Sequence, residues 1–293
     1  MPAGELAALG TATCWSFTGL FFAEAARRVG SLRVNLLRLP VALALLSFTL
    51  VATGGSLTAL NGTRVAWLAA SGMVGLVIGD LALFEAMRRI GPRLSLLIMS
   101  LAPISASVAG LLMLGERPGH LALLGIALTL AGVAWVVGEQ RDGKGYGSHE
   151  TAGVALAVVG AVCQGLGLVL AKLGMAGQVP PLAATWVRMG TATASIWLLT
   201  VLAGRARHVG PTEAVRTAGL PILGGAIFGP FLGVWLSLVA ARLTEVGVAT
   251  TIMATTPVLV IPILAVSERY RPSVRALFGT VITVIGVALL FSN

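Results

Sequence analysis

The sequence predicts an all-α membrane protein of ten transmembrane helices arranged as two inverted five-helix repeats. Three observations carry that expectation: an apolar composition, ten apolar runs of about bilayer length, and an internal repeat. Of the 293 residues, 57% are hydrophobic and 11% are charged, whereas a soluble domain carries about 25% charged residues. Mean hydropathy is +0.94. In water this chain would expose far more apolar surface than one core can bury, which excludes a soluble enzyme, a disordered chain and a fibrous repeat.

A bilayer core takes about 20 apolar residues per helix. Cutting the chain at Arg, Lys, Gly-Pro pairs and polar clusters leaves ten runs, roughly 5–26, 34–53, 65–87, 94–114, 119–138, 151–175, 181–203, 218–241, 247–267 and 272–291. The gaps after Arg27 and after Gly115 are short enough for tight helical hairpins. Residues 139–150 (EQRDGKGYGSHE) form the longest charged and Gly-rich stretch. They predict a hinge between a first half, 1–138, and a second half, 151–293.

The repeat is visible in the numbering. At an offset of 154, Gly75, Gly79, Arg88, Met99, Pro103, Arg117, Pro118, Gly125, Thr129 and Gly132 recur as Gly229, Gly233, Arg242, Met253, Pro257, Arg271, Pro272, Gly279, Thr283 and Gly286. Nearer the start, Cys14 and Cys163 differ by 149, and Arg38 and Arg188 by 150. Apolar composition scatters Ala, Leu and Val matches but does not return Arg, Pro and Gly in order. Five spans per half force the second half to enter the membrane from the opposite side. Such inverted repeats build a site near the midplane that rocking opens to either side, so alternating-access transport is the expected function.

The net charge is +9, but the basic residues sit in gaps between apolar runs, so no nucleic-acid partner is expected. Loops 1–2, 3–4, 5–6, 7–8 and 9–10 hold fourteen Arg and Lys against three on the opposite side, namely Arg64, Arg117 and Arg242. The positive-inside rule then places both termini outside the cytoplasm. Glu5 precedes a first run without the charged leader of a signal peptide, so that run is expected to stay as a membrane helix. A multi-pass protein of a bacterial or archaeal cell membrane follows. Cys14 and Cys163 lie inside apolar runs and predict neither a disulfide nor a thiolate metal site; no cofactor is expected.

Several motifs carry a family resemblance over nearly the whole chain. Ala102-Pro103-Ile104, Gly115-Glu116-Arg117-Pro118, Gly125 and Gly132-Val133 are echoed by Thr256-Pro257-Val258, Ser267-Glu268-Arg269, Gly279 and Gly286-Val287, and Cys14-Trp15-Ser16 stands in the first run. The chain resembles the drug/metabolite transporter superfamily in its ten-helix form of two EamA-type domains. Ser267 replaces the glycine of the turn, and Glu268 stands two positions earlier than the offset of Glu116 requires. The resemblance implies a secondary transporter or exporter of small metabolites and leaves the solute open.

Ionisable residues within spans cost about 2.5–3.5 kcal/mol each on insertion scales and mark function. Asp80, deep beside Gly79, is the first candidate for a protonatable or substrate-linked carboxylate. Glu24 and Arg38 flank one loop and are expected to pair or form half a gate. Glu85, with Arg88 and Arg89 at i+3 and i+4, reads as a local ion pair. Lys172 and Arg188 flank the opposite loop with no acid between them, and Gln164 shares the Lys172 side of its helix. Two such cations suit a carboxylate, so an amino-acid-like or organic-acid solute is favoured; snorkelling to the interface is the alternative. Protons are the candidate coupling ion, through Asp80 or Glu24. Trp15, Trp186, Trp197 and Trp235 are candidates for stacking on a solute. Pro103 and Pro257, each near the middle of a span, predict kinked, cavity-lining helices with the carbonyls of Met99 and Met253 freed. Other readings are a multidrug cation exporter of the same fold, a membrane receptor, or an intramembrane enzyme; the sequence has no GxSxG, P-loop or HExxH pattern.

Overall fold

The computed structural model describes residues 3–138, 148–176, 178–204, 211–260 and 274–291. Its elements are α1 (Ala3–Val29), α2 (Ser31–Ala52), α3 (Gly62–Ser71), a π-helical segment (Gly72–Gly79), α4 (Asp80–Met99), α5 (Ala102–Leu114) and α6 (His120–Gly138) in the first half. The second half has α7 (Ser148–Gly174), α8 (Pro181–Leu202), α9 (Pro211–Ala226), a second π-helical segment (Ile227–Gly233), α10 (Val234–Leu243), α11 (Val246–Met253) and α12 (Val274–Phe291). Among the described residues there is no strand. Residues 139–147 of the expected hinge lie outside the described residues, while 148–150 already belong to α7.

Four stretches are long and apolar enough to cross a membrane, Arg33–Ala52, Gly62–Ile90, Thr151–Gly174 and Arg216–Leu243, and shorter apolar helices accompany them. Large side chains such as Phe48, Val51, Leu112, Leu202 and Leu220 stand exposed around the bundle. Water would penalise that surface; hydrocarbon does not.

The third span is one run of helix interrupted by the π turn, and its counterpart in the second half carries a π turn at the matching place. The chain then reverses. A Cβ on Gly153 of α7 would touch Arg89 and Ile90, whereas Gly165 of the same helix faces Ala102, Ser105 and Ala106. Continuing straight from Ile90, a helix rising 1.5 Å per residue would leave α7 behind instead of returning to its middle. The reversal falls between Ile90 and Ala102, and helical backbone runs through the Gly91-Pro92 region, where the sequence predicts a loop, to Met99.

Both proline expectations need correction. Pro103 does not kink a continuous helix: the helix breaks at Ser100-Leu101 and Pro103 occupies the first turn of α5. Proline is tolerated there because the first-turn N–H has no intrahelical acceptor to lose. In the second half the break is at Ala254-Thr255, and Pro257 again sits at the start of the resumed helix. The carbonyl of Met253 is taken up by the Thr256 hydroxyl at 2.8 Å.

The halves interlock about a pseudo-two-fold axis. On the axis, α6 packs against α12 at glycine contacts: a Cβ on Gly286 would lie 2.9 Å from the Gly125 carbonyl oxygen, and one on Gly125 would lie 2.9 Å from that of Gly286. Off the axis, each half's first helix lies along the other half's third span. Gly4 meets Leu243 and Thr244 while its mate Gly153 meets Arg89 and Ile90; Thr18 meets Gly229 while its mate Gly167 meets Gly75. Small residues at these places let backbones approach without a hydrophobic driving force. The packed units are therefore α7 with α3, α4 and α5, and α1 with α9, α10 and α11, not the two sequence halves.

Candidate functional site

Between these units lies a cavity of about 690 Å³. Its walls mix both halves: Trp15, Phe22, Asn35 and Arg38 from α1 and α2, Asp80 and Phe84 from α4, Gln164 and Leu168 from α7, Arg188 from α8, Pro230 and Val234 around α10, and Pro103, Met253 and Pro257 from the broken helices. It reaches Val34, Met87, Arg88 and Val260 toward the arginine-rich end of the bundle. Toward the other end its lining stops at Leu168 and Thr250.

The polar wall is one network. Arg38 and Asp80 form an ion pair through Nη2 and Oδ2, with their side chains 9% and 14% exposed. The Arg38 guanidinium lies over two rings, 5.3 Å from the centroids of both Phe22 and Phe84, a pair of cation–π contacts that hold it in place. Gln164 Nε2 donates to Asp80 Oδ1 at 2.9 Å and lies 3.4 Å from the carbonyl of Gly75 in the π segment. Such π turns recur at functional sites, where they re-aim nearby groups; this one brings Asp80 and a backbone carbonyl to the same amide.

Arg188 completes the wall. It is 4% exposed, and its Nε and Nη1 have no hydrogen-bond partner. The close crossing of α8 over the π segment places it: a Cβ on Gly72 would lie 2.5 Å from the Arg188 carbonyl oxygen, and one on Gly75 would lie 3.4 Å from its Nη2. Its charge acts on Asp80, which is already committed to Arg38 and Gln164. Asn35 Oδ1, also buried, has no partner. Two guanidiniums against one carboxylate leave the wall net positive, with unpartnered donors of Arg188 and an unpartnered acceptor of Asn35 buried within it.

The rest of the wall is mainly apolar with scattered hydroxyls such as Thr18, Ser237 and Thr250, and the repeat makes the contrast plain. At the third-span offset the mate of Asp80 is Val234, and at the first-helix offset the mate of Gln164 is Trp15. A backbone of near two-fold form thus holds a polar face opposite an apolar one.

Other expected site residues go elsewhere. Glu24 does not meet Arg38; it pairs with Arg28 at 2.6 Å, one turn along α1. Glu85 holds Arg88 and Arg89 at 2.5 and 2.7 Å. Lys172 is not a free cation: Glu116, from the α5–α6 turn, lies 2.7 Å from its Nζ. Lys172 thus belongs to the closed end, while Gln164, two turns away, faces the cavity. Trp186 and Trp197 tie helices together, donating to Ser47 Oγ at 2.9 Å and to the Leu36 carbonyl at 3.1 Å. Trp235 does not line the cavity; with Arg242 it lines a separate cleft beside Pro180 and Pro181. Of the four tryptophans only Trp15 lines the cavity. Asn35 and the structural part played by Glu116 were not anticipated. A polar residue three positions before Arg38 was the available signal for Asn35, and a carboxylate directly after the turn glycine was the signal for Glu116.

Comparison with known proteins agrees with this architecture. A solved structure described only as a crystal structure of a protein covers 98% of this chain and 94% of its own, with a TM-score of 0.78 and 20% identity; the likeness is one of fold. No curated protein matches the chain. The EamA-like transporter family profile matches residues 2–138 and again 151–292, one copy in each half. The chain belongs to the EamA-like transporter family and is an integral, multi-pass membrane protein.

Proposed function

We propose that the protein is a secondary transporter that carries a small solute bearing a carboxylate, amino-acid-like or an organic acid, across the membrane by alternating access. The observation that carries this reading is Arg188, buried in the cavity with two guanidinium nitrogens unpartnered. A buried cation short of hydrogen bonds is costly; a carboxylate in the cavity supplies a counter-charge, and charge-assisted bonds once the Arg188 side chain turns out to meet it. Asn35 Oδ1 is an acceptor for an ammonium or amide of the same solute, and the apolar wall of Trp15, Val234 and Met253 takes its hydrocarbon part. A multivalent cationic drug would meet a net positive wall whose one carboxylate is already paired.

Alternating access follows from the pseudo-two-fold plan, with the α7 unit rocking against the α1 unit around the cavity. The arginine-rich end, where the cavity is lined to its mouth, is the cytoplasmic end by the loop charges, with both termini outside. Asp80 is the candidate for proton coupling, since a proton there competes directly with Arg38. The test is flux into proteoliposomes of a panel of amino acids, organic acids and cationic drugs, with and without a pH gradient, followed by product analysis. Uptake or exchange of an unchanged carboxylate solute supports the reading; binding without flux, or chemical conversion, overturns it.

A further inference from the structure

The end of the bundle away from the cavity mouth is closed by polar contacts between the two packed units. Gly115 at the end of α5 adopts φ +70°, a left-handed turn that suits glycine. It swings Glu116 back under its own helix, where the missing Cβ of Gly110 leaves room 2.9 Å from Oε2. From there Glu116 Oε2 accepts from the backbone N–H of Val246 at 2.8 Å, the first residue of α11. That N–H has no intrahelical acceptor, and a carboxylate there also meets the positive end of the helix. Glu116 Oε1 pairs with Lys172 Nζ at 2.7 Å. The same Nζ donates to the Thr244 carbonyl at 2.7 Å, and the Thr244 hydroxyl lies 2.9 Å from Glu5 Oε1. Glu116 and Lys172 belong to the α7 unit; Thr244, Val246 and Glu5 belong to the α1 unit.

We infer that the Glu116–Lys172 pair is the gate of this end: it holds the two units together while the cavity is open at the arginine-rich end, and both of its cross-unit bonds break when the cavity turns over. The inference rests on the alternating-access reading and adds the residues that bias it. The bias is one-sided. At the repeat offsets the mate of Lys172 is Ala23, that of Val246 is Pro92, which has no N–H, and that of Glu116 is Tyr270. The arginine-rich end therefore lacks in sequence the lysine and the helix-start N–H of this device, although Glu268 stands two positions before the mate of Glu116. The resting protein is accordingly held with its cavity toward the arginine-rich end, ready to load solute there.

The test reads accessibility and needs no solute. In protein with Cys14 and Cys163 replaced by Ala, Leu168→Cys places one thiol at the cavity end nearest the gate, and an impermeant maleimide is applied to one side of oriented vesicles at a time. With the gate intact, labelling is fast from the arginine-rich side and slow from the other. Glu116→Gln or Lys172→Met should speed labelling from the slow side about ten-fold, the factor expected when a charge-assisted hydrogen bond of the closed state is lost. The reversed pair Glu116→Lys with Lys172→Glu restores part of the ion pair but not the cap on Val246, so its rate falls between. Unchanged slow-side labelling in both single variants, each monodisperse in detergent, overturns the gate while leaving alternating access intact. Equal fast labelling from both sides in the parent overturns alternating access itself.

Discussion

Arg38 and Arg188 stand 150 positions apart at matching places on α2 and α8, yet Asp80 is hydrogen-bonded to the first and not to the second. The mate of Asp80 in the second half is Val234, so the duplication kept both cations and one acid. This inequality leaves the polar wall with an excess of positive charge, which is what the proposed carboxylate solute would use. A symmetric pair of acids would have closed both guanidiniums, and a symmetric pair of valines would have left two unpaired charges in the cavity.

Arg188→Gln should weaken binding of a transported carboxylate about 10- to 100-fold, the range for losing a hydrogen bond to a charged group. Arg188→Lys should recover only part, because a point charge lacks the planar fork that meets a carboxylate twice. Competition binding in detergent with the solute found by flux checks both. Unchanged affinity in Arg188→Gln would remove this residue from the site.

Asp80→Ala leaves the Arg38 guanidinium buried without its counter-charge, and removing one partner of such a pair costs about 3–5 kcal/mol. Arg38→Met with Asp80→Leu removes both charges and should lie closer to the parent than Asp80→Ala does. Thermal unfolding in detergent compares them. A double variant no better than Asp80→Ala would show that the two side chains do not act as a pair.

The sequence made the plan of the fold legible because prolines, glycines and arginines survive duplication in register. It placed Asp80, Arg38, Gln164 and Arg188 within spans, and all four line one cavity. It did not reveal which way each helix turns. In a soluble helix an apolar stripe marks the buried side, but here lipid and neighbouring helices are equally apolar, so the period that would orient α2 or α7 is faint. Glu24 looked like a partner of Arg38 because one loop separates them; the structure pairs Arg38 across 42 residues instead. Lys172 looked free because Glu116 is 56 positions away and joins it only through the interlock of α5 with α7.

The axis contact of α6 with α12 gives a prediction independent of the site. Gly125→Ala and Gly286→Ala each set a methyl group 2.9 Å from a carbonyl oxygen of the facing helix, closer than ordinary contact. Each should destabilise by about 1–3 kcal/mol, as overpacking does. Gly62→Ala at the start of α3, where a Cβ meets nothing within 4 Å, is the control and should unfold near the parent temperature. Equal effects at all three positions would mean that the glycines matter for backbone freedom and not for close approach.

Glu245 gives the pH prediction. It precedes Val246 in the link between α10 and α11, outside both helices, and its Oε2 is buried without a partner. Burial raises its carboxyl above the ordinary glutamate value of 4.5, the neighbouring Glu116 charge raises it further, and Lys172 acts the other way. A raised acid binds its proton more tightly folded than unfolded. Its contribution to stability is therefore full below about pH 4.5, declines as pH rises toward the raised value, and is absent above it. Once ionised, the group sits beside Glu116 at some cost to the fold. Glu245→Gln keeps the shape, cannot ionise, and should unfold at a higher temperature than the parent at pH 7. The difference between the two proteins should shrink as pH falls to 4.5, and because both keep Glu116, Lys172 and Glu5, subtracting their profiles isolates Glu245. A difference independent of pH would assign the effect to packing, and a less stable variant at pH 7 would mean that the carboxylate is bound by a donor in the folded protein.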